Sequence, residues 1–328
     1  MKYLLVDLNN SFFRARHSVS DPALVIHIIL MNIRKAWMLF DANHVVIASD
    51  GRSWRKGIYS AYKAQRTAKK LKQTETEREI DESFFEALSD FVDFLKKRTN
   101  TTFLYDSILE ADDLISEFIR LHPDDEHVIV SSDSDFKQLL SENVSIYDGM
   151  KGHIVKINEI LTESGNPAYD TKGKQIKTDI PEWLLFEKCI RGDPGDNIFS
   201  AYPRVRKTQI RNAFDDRHER GYYWNNLMQQ TWIDHKGQEH LVKDVYERNV
   251  ALIDLSAQPE EIKKIMSEVV ISALQTSEKR NQVGVHLMKF ASKWSLQVIL
   301  DQISSSQGHS FVDFLNQTYN GPYTTGRE

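Results

Sequence analysis

The sequence has little of several residue types that define special classes of protein. Its 328 residues include one cysteine, Cys189, which excludes a disulfide framework and a cysteine-based zinc cluster and fits a reducing cytoplasm. The longest uncharged apolar run, residues 22–33, has twelve residues, which predicts no membrane span, and residues 1–7 do not resemble a signal peptide. We therefore expect a soluble intracellular protein with one large core and an appended region.

The chain also lacks an excess of basic residues, which at first argues against a nucleic-acid partner. There are 42 Lys and Arg against 47 Asp and Glu, a net charge of −5. Nine of the acidic residues, however, lie in the short clusters described below. Without those nine, 38 acids stand against 42 bases, and the rest of the chain has a net charge of +4. The charge balance is therefore compatible with binding a phosphate backbone.

Apolar patterning predicts an α/β region followed by a helical region. Helical patterns at 22–40, 81–97 and 110–121 alternate with strand-like runs at 2–7, 44–49, 101–105 and 127–131. Two further strands, 144–147 and 153–157, flank a turn at 148–149. After residue 158 we expect helices, beginning at 180–191, with polar connections such as 235–238. The sequence thus predicts a mainly parallel central sheet flanked by helices at 1–157 and a helical part at 158–328.

Acidic residues follow the predicted strands or begin the helices after them. The carboxyl ends of parallel strands meet at one edge of a sheet, where ligands bind in such folds. Two carboxylates 4 Å apart repel by about 4 kcal/mol at an effective dielectric constant near 20, so several together require cations or protons. Oxygen ligands without histidine or cysteine favour Mg²⁺ or Mn²⁺ over zinc. The candidates are Asp7, Asp50, Glu110, Asp112, Asp113, Asp133 and Asp135, with a further pair, Asp193 and Asp196, in the helical part.

Each acidic residue also has a purely structural interpretation. Aspartate at a strand end often forms a turn, and aspartates at a helix start complement its dipole. Asp133 and Asp135 could be turn and N-cap residues, and Asp193 and Asp196 could form a helix-ending turn. Acids at every strand exit, taken jointly, favour a metal site over these separate explanations.

A basic stretch without acidic residues spans residues 51–72. Basic side chains neutralise phosphates, and aromatic rings such as those of Trp54, Tyr59 and Tyr62 provide faces for unstacked bases. A solvated lysine-rich helix face is the alternative, although such faces usually mix both signs of charge. A second acid-free stretch, 197–212, carries Arg204, Arg206, Lys207 and Arg211.

Five motifs in order resemble those of the 5′-nuclease family, which includes flap endonucleases, the 5′-nuclease domains of bacterial DNA polymerase I and phage ribonuclease H enzymes. They are VDLNN (6–10), SDGRSWRKGIYSAYKAQR (49–66), EADD (110–113), SSDSDF (131–136) and RGDPGDN (191–197). The chain length and the YERNVALIDL segment (246–255) are most similar to the stand-alone phage enzymes. The resemblance covers roughly residues 1–210. It implies a PIN-like 5′-nuclease fold whose C-terminal part contains a helix–hairpin–helix type element.

The resemblance also implies two Mg²⁺ ions, for which Mn²⁺ can substitute. The first would be bound by or near Asp7, Asp50, Glu110, Asp112 and Asp133, and the second surrounded by Asp113, Asp135, Asp193 and Asp196, partly through water. Lys63 and Arg66 match residues that reach the scissile phosphate from the base of a helical arch, here at about 52–80, and Tyr62 belongs to the same motif. Nucleic-acid contacts would come from Arg52, Trp54, Arg55, Lys56, Lys69, Lys70, Lys72, Arg204, Arg206 and Lys207.

The segment after the fifth motif departs from the family pattern. Most members have a Pro–Gly and a Gly-x-Gly hairpin there, which grips the duplex backbone and often holds K⁺. This chain has IFSAYPRVRKT at 198–208. The missing glycines argue against a K⁺ site and shift the expected phosphate contacts to Arg204, Arg206 and Lys207.

The function implied is that of a Mg²⁺-dependent 5′→3′ exonuclease and flap endonuclease with ribonuclease H activity. It would remove RNA primers and adjoining DNA from lagging-strand fragments and leave 5′-phosphates. Two divalent ions about 4 Å apart can activate water and stabilise the developing charge, so no histidine base is required. A structure-specific DNA-binding replication factor without turnover is the alternative. A Mg²⁺-dependent phosphotransfer domain for small phosphate esters is a third interpretation, but it has no use for the basic stretch.

The resemblance implies branched or nicked DNA and RNA–DNA duplexes with 5′ ends or flaps as substrates. It also implies a monomer in the cytoplasm, that of the bacterial host if the chain is phage-encoded. Phage relatives work with a single-stranded-DNA-binding protein and a sliding clamp. Phe290, Trp294 and Phe311 could dock such a partner, but filling the local core is the favoured explanation. Cys189 is expected to be a packed small hydrophobe.

Overall fold

The computed structural model describes residues 1–275, 279–304 and 311–321. Its strands are β1 (Lys2–Asp7), β2 (His44–Ala48), β3 (Thr102–Leu104), β4 (Glu126–Val130), β5 (Val144–Asp148), β6 (His153–Lys156), β7 (Glu159–Thr162), β8 (Thr231–Ile233) and β9 (Glu239–Leu241). Its helices are α1 (Leu8–Arg16), α2 (Pro22–Phe40), α3 (Arg55–Ile58), α4 (Ala64–Leu71), α5 (Glu75–Arg98), α6 (Ala111–Leu121), α7 (Pro181–Arg191), α8 (Lys207–Asp215), α9 (Tyr222–Met228), α10 (Val242–Ile253), α11 (Glu260–Gln275), α12 (Val283–Lys293), α13 (Gln297–Ser304) and α14 (Asp313–Asn316).

The described residues form two compact units. The first contains residues 1–53, 73–178 and the described residues from 261 onward, and the second contains 54–72 and 179–260. The predicted single boundary at 157/158 does not follow this division. The reason is that Leu287, Phe290 and Phe314, from helices near the end of the chain, pack in the same core as α2 and α5.

One seven-stranded sheet organises the first unit, in the order β3-β2-β1-β4-β5-β6-β7. The pairs among β1 to β5 are parallel, and Val6 of β1, for example, pairs with Ile47 on one side and Val130 on the other. β5, β6 and β7 pair antiparallel. The mainly parallel sheet predicted from the sequence is confirmed, and the carboxyl ends of β1 to β5 share one edge. β7, at the antiparallel edge of the sheet, was not predicted.

Helix α2 lies in the core of the first unit. Its 19 residues and mean hydropathy of 1.5 would allow it to span a membrane by length and composition, although the uncharged run within it is shorter. Ile29 and Ile33 on its buried face pack with Leu4 of β1 and Phe91 of α5. These contacts make α2 a core helix of this unit. Helix α5 begins before the predicted residue 81, because the Thr74 hydroxyl and the Glu77 carboxylate form a capping box.

The second unit is mostly helical, as expected. Trp183 and Phe186 of α7, Phe214 of α8 and Val245 of α10 form its core. The prediction that the polar segment 235–238 connects two helices is wrong, because this segment closes the β8–β9 hairpin. Asp234 stabilises that turn, since its carboxylate accepts hydrogen bonds from two backbone amides within it.

The aromatic residues near the end of the chain are core residues. Phe290 is 8% exposed and Phe311 1% exposed, and Trp294 packs against the same cluster. The favoured explanation, that they fill the local core, is confirmed. Cys189 is likewise 1% exposed and packs with Ile198 and Leu252 in the second unit.

Candidate active site

Three strands bring carboxylates together at the carboxyl edge of the sheet. Asp7 ends β1, Asp50 lies two residues after β2, and Asp133 follows β4. Burial and the negative charges of Asp50 and Asp133 raise the pKa of Asp7 from 3.8 to about 7. Hydrogen bonds to Asp7 from the amide of Asn10 and the hydroxyl of Ser131 oppose this change without offsetting it. The site therefore holds more negative charge than its own donors neutralise.

A second group of carboxylates lies at the start of α6. One oxygen each of Glu110, Asp112 and Asp113 lies within 4.8 Å of the others. The Glu110 amide donates to Asp113 Oδ2 at 3.1 Å, so Asp113, which is fully buried, also caps the helix. The amide of Ala111 donates to Asp50 Oδ1 at 2.8 Å and joins this group to the first.

Asp135 completes the set in the first unit. Its amide donates to Asp133 Oδ1 at 2.9 Å, at the start of a short 3₁₀ helix, Ser134–Leu139. All seven acids predicted from the first unit thus follow strands β1 to β4 and lie at the same edge. Their oxygen-only donor set suits hard divalent cations, and added positive charge would relieve the repulsion that raises the pKa of Asp7.

Sequence reasoning missed polar residues that hold these acids in place. Asn9 Oδ1 accepts a hydrogen bond from the Asp50 amide at 3.0 Å. Ser53 Oγ donates to Glu110 Oε2 at 2.6 Å. Both residues lie within the motifs that were singled out for their acids, so proximity in sequence was the signal that could have found them.

Gly51 allows the segment after β2 to pack closely against the segment that precedes α6, beside this site. Its amide donates to the Leu109 carbonyl at 2.7 Å, and a Cβ at this position would lie 2.1 Å from the Asp106 carbonyl oxygen. No other residue fits there without displacement of the chain, so glycine fixes the distance between the end of β2 and the segment that leads into α6.

Asp193 and Asp196 lie in the second unit, in the turn after α7. Lys188 Nζ lies 2.7 Å from Asp193 Oδ2, and the Gly195 amide donates to Asp193 Oδ1. Burial alone would raise the pKa of Asp193. The pKa nevertheless lies below its usual value, because Lys188 and hydrogen bonds from the backbone amides of Gly195 and Asp196 stabilise the carboxylate. Asp196 contacts all three predicted catalytic residues, namely Tyr62, Lys63 and Arg66.

Most of the predicted nucleic-acid contacts are exposed, but Arg55 is not. Arg55 is 1% exposed, its Nε donates to the Leu252 carbonyl at 2.8 Å, and its guanidinium lies 4.7 Å from the Trp54 ring centroid. The prediction that Arg55 binds nucleic acid is therefore wrong, because its side chain turns inward to a buried carbonyl. Trp54 is half-buried. The exposed residues are Arg52, Lys56, Lys69, Lys70, Lys72, Arg204, Arg206 and Lys207.

A parallel sheet with a carboxylate-lined edge is typical of metal-dependent enzymes that act on phosphate esters. Residues 2–165 match the family model described as 5′-3′ exonuclease, N-terminal resolvase-like domain. The chain therefore belongs to the 5′-3′ exonuclease family, as the motifs indicated.

Similar proteins agree with this assignment. The chain is 28% identical over 199 residues to a flap endonuclease of Escherichia phage T5, covering 60% of this chain and 63% of that one. It is 27% identical over 169 residues to flap endonuclease Xni of Shewanella loihica, covering 50% of this chain and 56% of that one. A match to DNA polymerase I of Rhizobium leguminosarum, 26% identical over 216 residues, covers 59% of this chain and 18% of that one. The matches thus span less than two thirds of these relatives.

Solved structures show the same fold. The phage T5 5′-exonuclease with bound divalent zinc ions is similar with a TM-score of 0.61 and 22% identity, covering 85% of this chain and 100% of that one. The phage T5 flap endonuclease in a pseudo-enzyme–product complex with DNA and metal ions is similar with a TM-score of 0.57 and 21% identity, covering 90% and 98%.

Proposed function

We propose that this protein is a Mg²⁺-dependent 5′→3′ exonuclease and flap endonuclease with ribonuclease H activity. It would remove RNA primers and adjoining DNA from lagging-strand fragments in the cytoplasm. The observation that carries the proposal is the set of seven acids at one sheet edge, in which Asp7 is buried beside the charges of Asp50 and Asp133. The names of the similar proteins, which include flap endonucleases and a complex with DNA and metal ions, support it.

The residues at the edge fit divalent metal ions. Glu110, Asp112 and Asp113 offer oxygens within 4.8 Å of one another, and Asp7, Asp50 and Asp133 supply the negative charge. When bound there, two such ions would activate a water molecule and stabilise charge on the phosphorus and the leaving oxygen. Asn9 and Ser53 keep Asp50 and Glu110 in place through their hydrogen bonds, so the carboxylates need little rearrangement to receive cations.

Positive side chains of the second unit would bind phosphate. Lys63 is held near the start of α4, and Arg66, on the helix, is 60% exposed. Both would neutralise charge on a phosphate oxygen, which is greatest in the transition state. Three basic residues are exposed and would contact the duplex backbone, namely Arg204, Arg206 and Lys207. Their positive charge would contribute to the binding affinity irrespective of the nucleic-acid sequence. The substrates would be branched or nicked DNA and RNA–DNA duplexes with 5′ ends.

Cleavage of a 5′-labelled flap in Mg²⁺ tests the proposal. We expect 5′-phosphate products from the parent protein, and a rate at least about 100-fold lower for Asp133→Ala, because loss of a metal-binding carboxylate removes several kcal/mol of transition-state stabilisation. Asp124→Ala is the matched control, since Asp124 is exposed and precedes β4 at the opposite edge of the sheet. It should cleave at the parent rate.

Other outcomes would contradict the proposal. Near-normal cleavage by Asp133→Ala would reject the metal assignment. Binding of flap DNA without cleavage by the parent protein in Mg²⁺ would instead favour a DNA-binding factor without turnover. Cleavage of small phosphate esters but not of the flap would favour the phosphotransfer interpretation. The same reaction on an RNA–DNA duplex tests the ribonuclease H activity.

A further inference from the structure

We propose that Asp196 is a positioning residue, which holds Lys63 and Arg66 for contact with phosphate and does not ligate a metal ion. The inference rests on the proposed function and deepens it. It differs from what the resemblance implies, namely that Asp196 surrounds the second metal ion. Every contact that carries it lies within the second unit.

The carboxylate of Asp196 is shared by three side chains from one short segment. Arg66 Nη2 lies 2.7 Å from Oδ1. Tyr62 Oη donates to Oδ2 at 3.1 Å, and Lys63 Nζ lies 3.5 Å from the same oxygen. The side chains of Asp196 and Lys63 are 16% and 18% exposed, so their contact is partly shielded from water, whereas Arg66 is 60% exposed.

The local charge opposes a metal ion at Asp196. One negative charge here faces the two positive charges of Lys63 and Arg66 at short distance. A divalent cation on the same oxygens would meet repulsion from both and would have to displace them. The opposite condition holds in the first unit, where Asp7 lies beside the negative charges of Asp50 and Asp133 and a bound cation would relieve their repulsion.

The backbone is held by the same turn. Lys63 has a φ of +53°, a left-handed conformation that is uncommon for a residue other than glycine. Its amide donates to the Asp196 carbonyl at 2.9 Å. Gln65 Nε2 donates to the Gly195 carbonyl, and Asn197 Nδ2 donates to the Ala61 carbonyl, each at 2.7 Å. The turn thus fixes the backbone of residues 61–66, and the Asp196 carboxylate fixes the side chains.

A double-mutant cycle tests whether Asp196 acts through these two residues. Asp196→Asn keeps an oxygen that can accept from Arg66 but removes the charge. We expect single-turnover cleavage of a 5′-flap at saturating DNA to fall about 10- to 100-fold, with KM for the flap changed by less than about threefold. In a Lys63→Ala/Arg66→Ala background, the same change should lower the remaining rate by less than about twofold, because nothing is left to position.

A charge-matched control excludes a general electrostatic effect. Asp215→Asn removes one negative charge from the same unit, at an exposed residue that pairs with Arg211. Its rate should stay within about twofold of the parent rate. If Asp196→Asn loses the same factor in both backgrounds, Asp196 acts independently of Lys63 and Arg66, and the inference is overturned.

Mn²⁺ binding to the metal-free protein, followed by electron paramagnetic resonance, gives a readout that does not depend on cleavage. Asp196→Asn should bind as many ions as the parent protein, with each Kd within about threefold, whereas Asp133→Asn should lose an ion or bind it at least about tenfold more weakly. Loss of an ion from Asp196→Asn would overturn the inference.

The inference can fail or hold separately from the proposed function. If the parent protein cleaves no nucleic acid, the proposed function fails, but Mn²⁺ binding still decides whether Asp196 is a ligand. Side-chain nuclear magnetic resonance relaxation then decides its positioning role. Asp196→Asn should increase the mobility of the Lys63 ammonium and the Arg66 guanidinium, which the carboxylate holds, and should leave the Arg211 guanidinium unchanged. Unchanged mobility of Lys63 and Arg66 would contradict the positioning role.

Discussion

Replacement of Asp7 by asparagine should stabilise the metal-free protein above neutral pH and abolish metal-dependent cleavage. Burial and the charges of Asp50 and Asp133 raise the pKa of Asp7 from 3.8 to about 7. The folded state therefore binds more protons than the unfolded state between these pH values, and its stability falls as the pH rises from about 4 to about 7. The difference between the two pKa values lowers the free energy of unfolding by at most about 4 kcal/mol.

Asparagine keeps the hydrogen bonds of Asp7 and removes only its charge. The side-chain oxygen can accept from the Asn10 amide, and the side-chain nitrogen can donate to Ser131 Oγ, which lie 3.0 and 3.2 Å from the Asp7 oxygens. We therefore expect Asp7→Asn to be more stable than the parent protein by about 2–4 kcal/mol at pH 8.5 and nearly equal to it at about pH 3.5, below the unfolded pKa.

Urea unfolding in EDTA at both pH values, followed by circular dichroism, measures this difference. Saturating Mg²⁺ should stabilise the parent protein at pH 8.5 by mass action and leave the variant unchanged. Asp124→Asn serves as a control because Asp124 is exposed and precedes β4. The reasoning is refuted if parent and variant have the same pH dependence, or if the variant is the less stable at pH 8.5.

Three other substitutions test features of the first unit. Burial lowers the pKa of His44 from 6.5 to about 4, so its ring is neutral in the folded protein at neutral pH. The free energy of unfolding of the parent protein should therefore fall by about 3 kcal/mol as the pH drops through this range. His44→Gln should remove this pH dependence in urea titrations. Gly51→Ala should weaken Mn²⁺ binding at least about tenfold in titrations followed by electron paramagnetic resonance, because the added Cβ would collide with the Asp106 carbonyl oxygen. Gly57→Ala should leave Mn²⁺ binding unchanged, because a Cβ at that position meets no other atom within 4 Å. Phe290→Ala should lower the free energy of unfolding by about 3–5 kcal/mol, since its ring stacks on Phe94 at 4.5 Å; unchanged stability would contradict its place in the core.

The sheet and the position of the acids could be predicted because both follow from local patterns. Buried parallel strands appear in sequence as short continuous apolar runs, as in residues 44–48. Once parallel pairing is expected, the residue after each strand is assigned to one edge without further information. That reasoning placed Asp7, Asp50 and Asp133 together, as the structure has them.

Long-range packing could not be predicted in the same way. The apolar stripe of α12 shows that Leu287 and Phe290 are buried, but not which elements cover them, and the covering elements are α2 and α5 of the α/β unit. The short strands β7 to β9 were not predicted, and they pair only with neighbouring antiparallel strands at the edge of the large sheet or in the β8–β9 hairpin.

Composition alone also could not show which way a basic or aromatic side chain points. Arg55 and Tyr62 lie in the same acid-free stretch as the exposed lysines of α4, yet they are 1% and 3% exposed. The carbonyl of Leu252 accepts a hydrogen bond from Arg55 Nε, and the Asp196 carboxylate accepts one from the Tyr62 hydroxyl. These partners lie more than a hundred residues away in sequence, so no local pattern reveals them.

The structural and functional explanations of the aspartates are compatible, and the charge around each one decides its chemistry. Asp7 and Asp193 both cap a following turn of helix through one oxygen, which fixes the rotamer of each carboxylate. Their other oxygens differ, since Asp7 Oδ2 accepts from the Ser131 hydroxyl whereas Asp193 Oδ2 pairs with the Lys188 ammonium. Capping therefore does not mark a metal ligand. The pKa of Asp7 is raised by burial and its neighbouring carboxylates, while that of Asp193 is lowered, against its burial, by a cation, so a divalent ion gains most at Asp7.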